Sequence, residues 1–229
     1  MMTENLELLN SERHRDLSMH VGSVNHPHCV QIVIDEFSRA ATVCPIFFVK
    51  DPETGRFNVV ALFGFSPGEL LVEGADKGRA LFVPLEMARQ GFFITGENIA
   101  IDTAHPRFGE GATVPLFDAM GEPTDETRLI QRSLGTLVKT RETTAAFVQA
   151  MVEHRLIDSI DINLRFDDGQ SLTLEGLYTI SLDALSELDD ATVLTLFRNG
   201  HLAAALCIQG SQRQVMVLAQ RRNDRLAQG

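Results

Sequence analysis

The chain has no run of apolar residues near the roughly 18 that a membrane-spanning helix needs. Its first residues, MMTENLELLNSERHRDL, are polar and charged where a secretory leader has an apolar centre. These absences predict a soluble, cytoplasmic protein without membrane insertion. Cysteine is scarce as well. Cys29, Cys44 and Cys207 are odd in number, scattered and free of any CxxC pairing, so neither a disulfide framework nor a cysteine zinc site has support. Each reads as a small buried hydrophobe. Basic residues are in deficit, 20 Lys and Arg against 31 Asp and Glu, for a net charge of −11. A field of that sign repels phosphate backbones and anionic lipid, so nucleic acid is not an expected partner. The one dense basic run, Arg221-Arg222-Asn223-Asp224-Arg225, stands near the C-terminal end, where cations complement a helix dipole.

Catalytic signatures are missing too. There is no GxSxG, no P-loop and no GxGxxG, and no cysteine has a sequence neighbour that would lower its pKa. Asp167-Asp168-Gly169 resembles the opening of a calcium loop but lacks the downstream ligand spacing, and reads as a turn. The sequence thus implies no cofactor and names no catalytic residue.

What is present centres on residues 45–94, which hold more than half of the fourteen Phe residues. Apolar bursts IFFV, FNVVALFGF, LLVE, ALFVPL and FFI are separated there by Gly, Pro, Asp or Lys, the pattern of strands cut by turns. This block is expected to be the nucleus of a sheet. Strands are also expected at 28–33 and 98–102, with a short helical turn at 35–41 between the first of these and the block. Residues 1–27 read as an irregular arm. From about 125 to 157 apolar residues recur at three- and four-residue spacings, beginning Ile130, Leu134, Leu137 and Val138, which makes a helical stripe. Thr124 or Asp125 would cap it; Gly135 is a candidate bend and Thr143-Thr144 a candidate break. Alternating runs at 161–166 and 171–178 around Asp168-Gly169 predict a β-hairpin. Ser181 and Asp189 or Asp190 would cap two short helices, Asn199-Gly200 stops the second, and a last helix runs from 201 to 225 with a possible interruption at Gly210-Ser211. The expectation is one α+β domain over 1–229: a β-rich part at 28–118 with a mainly antiparallel sheet, packed against a mainly helical part at 125–225.

Several groupings carry possible chemistry. Arg79 and Arg89 flank the expected strand 81–83, and two guanidinium groups facing one groove would hold a carboxylate bidentately; the alternative is pairing with Glu69, Glu73 or Glu86. Asp102-Thr103-Ala104-His105-Pro106-Arg107 gathers acid, imidazole and guanidinium in a loop after a strand, the alternative being a surface loop locked by a local ion pair. His26-Pro27-His28 would place two rings on one face of an extended segment, with Glu36, Asp102 and His105 as further ligands for iron or zinc. The candidate ligand-binding residues are therefore Arg79, Arg89, Glu36 and Arg107, and the candidate metal ligands His28, Asp102 and His105.

Glu36-Phe37 ahead of Cys44-Pro45-Ile46-Phe47-Phe48 begins a longer series of motifs. It continues with Leu62-Phe63-Gly64-Phe65, Gly78-Arg79, Phe82-Val83-Pro84-Leu85, Phe92-Phe93, Pro115-Leu116-Phe117-Asp118, Gly121-Glu122-Pro123, Glu175-Gly176-Leu177-Tyr178 and Gly200-His201-Leu202. In that order and spacing the chain resembles the SapC-like family from about residue 14 to 222. It departs where the family has an Asn-Leu-Phe run and this chain has Leu70-Leu71-Val72, and where an aromatic follows the Gly-Arg pair and this chain has Ala80. The resemblance implies a soluble accessory protein, many relatives being encoded beside proteins similar to tryptophan halogenases, cupin-like oxygenases and outer-membrane receptors. It leads to the expectation of a non-enzymatic binding or accessory protein for a peptide or protein partner, with homo-oligomers possible. The alternatives are an iron-dependent oxygenase using His28, Asp102 and His105, and a structural protein of surface-layer assembly.

Overall fold

The Phe-rich block 45–94 serves two sheets. The computed structural model describes residues 6–22, 27–72 and 82–227. Its strands and helices in chain order are β1 (Leu6–Leu8), β2 (Ser18–Met19), β3 (Cys29–Gln31), α1 (Phe37–Ala40), β4 (Ile46–Lys50), β5 (Phe57–Leu62), α2 (Leu85–Ala88), β6 (Phe92–Thr95), β7 (Asn98–Asp102) and β8 (Val114–Pro115). They continue with α3 (Asp125–Glu153), β9 (Ile157–Arg165), β10 (Ser171–Ile180), α4 (Leu182–Ser186), α5 (Asp190–Arg198), α6 (His201–Ser211) and α7 (Gln214–Leu226). The architecture is α+β, with every strand pairing antiparallel. By contacts the chain divides into two compact units, Met1–His26 with Val83–Lys139, and Pro27–Phe82 with Thr140–Gly229.

In the first unit β6 and β7 form a hairpin, and β1 adds to β7 with Leu6 opposite Asp102. The arm expected to be irregular thus carries β1, and also β2, which pairs with β8. Three residues of alternating Leu-Glu-Leu are too short a signal to separate a strand from coil, and the pairing partner lies nearly a hundred residues away. Met19, Phe92, Ile101, Leu116, Ile130 and Leu134 make this unit's core.

The second unit holds a five-stranded sheet in the order β3-β5-β4-β10-β9. The expected hairpin is β9-β10, and it joins the Phe-rich strands directly: Tyr178 of β10 lies opposite Phe48 of β4. Between Leu174 and Leu177 the register slips by one residue, a β-bulge with Gly176 at φ 73°, a conformation open to glycine at little cost. Among the described residues three of the five apolar bursts contain strands; Glu73, Ala80 and Leu81 of the other two lie outside those residues. Leu70, Leu71 and Val72 are buried without forming one, and Phe82-Val83-Pro84 is likewise coil. Apolar bursts report burial, whereas a strand also needs a pairing edge, and Pro84 has no N–H to give one.

Helix α3 is continuous over 29 residues. Gly135 does not bend it and Thr143-Thr144 does not break it: Thr144 Oγ1 donates back to the Thr140 carbonyl (2.8 Å) and accepts the Ile34 N–H (3.1 Å). Thr124 caps its start. Its stripe ends in the second unit, where Phe147 stacks on Phe48 at 6.1 Å and meets Phe37 edge-on at 5.6 Å. Ser181 and Asp189 cap α4 and α5 as expected, accepting from the Ala184 and Thr192 N–H groups. The break after α6 falls at Gln212-Arg213, two residues later than expected, because buried Ser211 completes the helix while its Oγ accepts the Ile46 N–H (2.9 Å). The basic run on α7 works through tertiary contacts: Arg221 donates to the Leu71 carbonyl, and Arg222 lies 4.1 Å over Phe166 and pairs with Glu69. Among the described residues no single helix is long and apolar enough to cross a membrane.

Candidate functional site

The residues singled out by sequence are mostly engaged in holding the fold. Arg89 forms an ion pair with Glu86, donates to the Phe92 carbonyl (3.1 Å) and lies 5.5 Å over Phe93. It takes the pairing alternative. Arg79 lies outside the described residues, and so does His26. Arg107 is 2% exposed; its Nη1 donates to the carbonyls of Ala88 (2.6 Å) and Gln90 (3.2 Å), and its guanidinium stacks 5.6 Å over Phe92. Burial pushes its pKa down, opposed by Glu126. The loop is therefore locked by carbonyls rather than by an Asp102–Arg107 ion pair. Asp102 accepts the Ala104 N–H (3.1 Å), and His105 Nδ1 accepts the Arg107 N–H (3.1 Å). Burial, aided by Arg107 and opposed by Asp102, holds the His105 pKa below its ordinary value.

In the second unit Glu36 is buried and its carboxylate accepts the Val33 N–H (3.0 Å). His28 contributes its backbone carbonyl, which accepts from Phe63 and Gly64. Among the described residues no group of three or more His, Cys, Asp or Glu side chains is arranged to hold a metal ion. The three cysteines are free; burial raises Cys29 to about 11, and burial with Glu36 nearby raises Cys44 to about 12. Thiols held that high are poor nucleophiles at neutral pH.

A different set of residues forms an open site. At one end of the five-stranded sheet, β4 finishes with Lys50, β5 starts with Phe57, β10 carries Tyr178 and β9 starts with Ile157. Register puts Lys50 opposite Phe57, Val59 opposite Phe48 and Phe48 opposite Tyr178, so strand alternation sends Lys50, Phe57 and Tyr178 to one face. The C-terminal end of α3 closes the side. The resulting cleft is about 370 Å³ and is lined by Lys50, Phe57, Val152, Arg155, Ile157, Asp158, Ser159 and Tyr178. Phe57 and Tyr178 meet edge-on at 5.0 Å. The Lys50 ammonium sits 5.2 Å from the first ring centroid and 5.0 Å from the second, a cation–π seat in the lining of the cleft. Among the described residues neither Lys50 nor Arg155 has a carboxylate within ion-pair distance. Asp158 accepts its neighbour's N–H, that of Ser159, at 2.8 Å.

Two other depressions offer less chemistry. One of about 720 Å³ follows Leu6 to Arg13, but Glu7 there is already paired with Arg13 (3.0 Å) and contacts His14 (3.3 Å). The other, about 310 Å³, runs between the β6-β7 hairpin and Leu134, Gly135 and Val138 of α3. Its one lining cation, Lys139, shares that lining with the Glu97 carboxylate.

Arg155 reaches the cleft through an unusual backbone. It is the one non-glycine residue with positive φ (55°) among the described residues. Helix α3 ends in a Schellman motif: the Leu156 N–H bonds the Met151 carbonyl (2.8 Å), the Arg155 N–H bonds Val152 (3.0 Å), and Leu156 and Met151 are both fully buried. The left-handed position of that motif belongs to glycine; any side chain there costs about 1 kcal/mol or more. Here it is filled by an exposed guanidinium with no ion pair among the described residues.

None of Lys50, Phe57, Arg155 or Tyr178 belongs to the groupings chosen from sequence. They come from four elements and converge only through strand pairing. One signal was legible: 153–157, Glu-His-Arg-Leu-Ile, leaves a long helix for a strand with no Gly, Asn or Pro to make the turn.

A family model, SapC, matches residues 9–218. No curated protein and no solved structure matches the chain. The family match covers both compact units and every element of the cleft: the chain belongs to the SapC family.

Proposed function

We propose that this protein is a non-catalytic binding protein that takes up an extended segment of a peptide or protein partner along β9, an accessory role rather than a chemical one. The observation that carries this reading is the free edge of β9: nine residues long, paired with β10 on one side and with no strand on the other among the described residues. Nine residues offer an edge of about 30 Å. The Phe166 N–H bonds the Gln170 carbonyl (2.9 Å), so alternation turns the backbone groups of Arg165, Asn163, Asp161 and Ser159 away from β10. The Ser159 N–H accordingly has only the adjacent Asp158 carboxylate as partner. Outward-turned N–H and C=O groups on a long edge are a template for another strand. Asp158 and Asp161 guard that edge: a symmetric pairing of two β9 strands about its centre would set Asp161 against Asp161, which disfavours self-association. The high cysteine pKa values, leaving no ready nucleophile among the thiols, support the non-catalytic side.

The test is binding of an array of short peptides to wild-type protein and to Asp161→Pro. Proline on an edge strand removes an outward donor without breaking the inner ladder. The reading expects peptides to bind the wild type and to be lost at least about tenfold from the variant, with circular dichroism unchanged. No peptide bound by wild type, equal binding by the variant, or unaided turnover of a bound peptide would each contradict it.

A further inference from the structure

Resting on that edge-strand reading, we propose that the cleft at the head of β9 receives the free carboxyl terminus of the docked segment, with Lys50 and Arg155 as its counter-charges.

Direction comes first. Every strand pair in this sheet is antiparallel. A strand added to β9 in the same sense runs with its C-terminal end toward Ile157, and Ile157 and Ser159 line the cleft. The end of the guest chain is thereby delivered to the opening between Lys50 and Arg155.

Charge comes second. Both cations lack a carboxylate partner among the described residues, in a chain whose net charge is −11. With Asp158 also in the lining, the cleft carries two positive groups against one negative, a balance suited to a monoanion. A dianionic phosphate would leave a net negative charge in an already acidic chain. A carboxylate reached by a guanidinium and an ammonium forms charge-assisted hydrogen bonds, the stronger class.

Shape comes third. Phe57 and Tyr178 supply apolar walls beside the cations, which is what the last side chain of a peptide presents next to its carboxylate. At about 370 Å³ the space lies near the small end of ligand clefts, sized for a terminal residue rather than a large cofactor.

Backbone strain comes fourth. Glycine at 155 would satisfy the Schellman motif at no steric cost, yet an arginine is held there in the left-handed conformation with its head unpaired among the described residues. Strain of this kind collects where a side chain serves a ligand. The carboxylate gives that arginine a partner.

The test uses the peptide array in duplicate, each sequence made once as the free acid and once as the C-terminal amide, against wild type, Lys50→Gln and Arg155→Gly. Wild type is expected to hold the acid about tenfold more tightly than the amide, and each variant to bring acid down to amide while amide binding stays as in wild type. Equal binding of acid and amide by wild type overturns the carboxylate inference and leaves the edge-strand reading standing. An acid preference that survives both substitutions overturns the assignment of these two cations. Displacement of the acid peptide by inorganic phosphate at concentrations where acetate has no effect overturns the choice of carboxylate. Failure of either form to bind overturns the edge-strand reading, and this inference with it.

Discussion

Arg107 in the first unit and Arg155 in the second carry the same side chain in opposite circumstances. Arg107 is buried, its guanidinium donates to two backbone carbonyls, and an aromatic face covers it. Arg155 is exposed, without an ion pair among the described residues, and held in a backbone conformation that works against it. A guanidinium that satisfies carbonyls is part of the scaffold, because removing it strands the groups it bonded. A guanidinium supported at a steric cost with no partner among the described residues is a different case, and it is the one on which the proposed carboxylate site rests. The same contrast separates Arg89, tied to Glu86, from Lys50, displayed on two rings.

The largest effect that would break this contrast is at Arg107. Arg107→Met should lower unfolding free energy by about 3 kcal/mol in denaturant titrations, since two carbonyls lose a charged donor. A loss under about 0.5 kcal/mol would place Arg107 with ordinary surface residues. The next effect has the opposite sign. Arg155→Gly should raise stability by about 1 kcal/mol, because glycine relieves the left-handed position. A destabilised variant would mean that the arginine serves the fold after all. Lys50→Gln should fall within about 0.5 kcal/mol of wild type, losing only an exposed cation–π contact.

The smallest effects are in pH dependence. His201 is 9% exposed, its ring meets Phe147 edge-on at 5.8 Å, and its Nδ1 has no hydrogen-bond partner among the described residues. Burial holds its pKa below the usual 6.5. The unfolded chain then takes a proton that the folded state resists. The contribution to stability is complete above about pH 6.5 and is lost as pH falls through the lowered folded value. Urea titrations at pH 7 and pH 5 should show wild type losing stability on acidification, and His201→Phe losing less of it; an equal loss would assign the acid sensitivity elsewhere. His105 shifts in the same direction, with burial the leading cause, and adds to the wild-type loss.

Local rules carried far in this chain. Asp168-Gly169, Ser181 and Asp189 announce the hairpin and two helix starts because turns and caps are decided by a few adjacent residues. The stripe of α3 was visible for the same reason, helical spacing being a local property. What did not show was pairing at a distance. Sequence pointed to strands in the bursts at 70–73 and 80–85, and their described residues form none, because burial and β-structure share a composition. β1 pairs across more than ninety residues with β7, and no local pattern announces that. The candidate site failed to show on similar grounds. Charged residues near one another in sequence, such as Asp102, His105 and Arg107, each bond backbone groups, although the buried Arg107 Nε has no partner among the described residues. Lys50, Phe57, Arg155 and Tyr178 acquire meaning only when four elements meet at one end of a sheet.

Composition supplies a probe of that meeting point. The chain has no tryptophan and a single tyrosine, so its tyrosine emission reports Tyr178 alone, in the wall of the cleft. The most direct measurement is that emission during titration with N-acetyl-L-phenylalanine and, separately, with its amide, in wild type and in Arg155→Gly. A saturable change with the acid in wild type, absent with the amide and absent in Arg155→Gly, is the predicted result. An unchanged emission with the acid, or the same response to acid and amide, would contradict it.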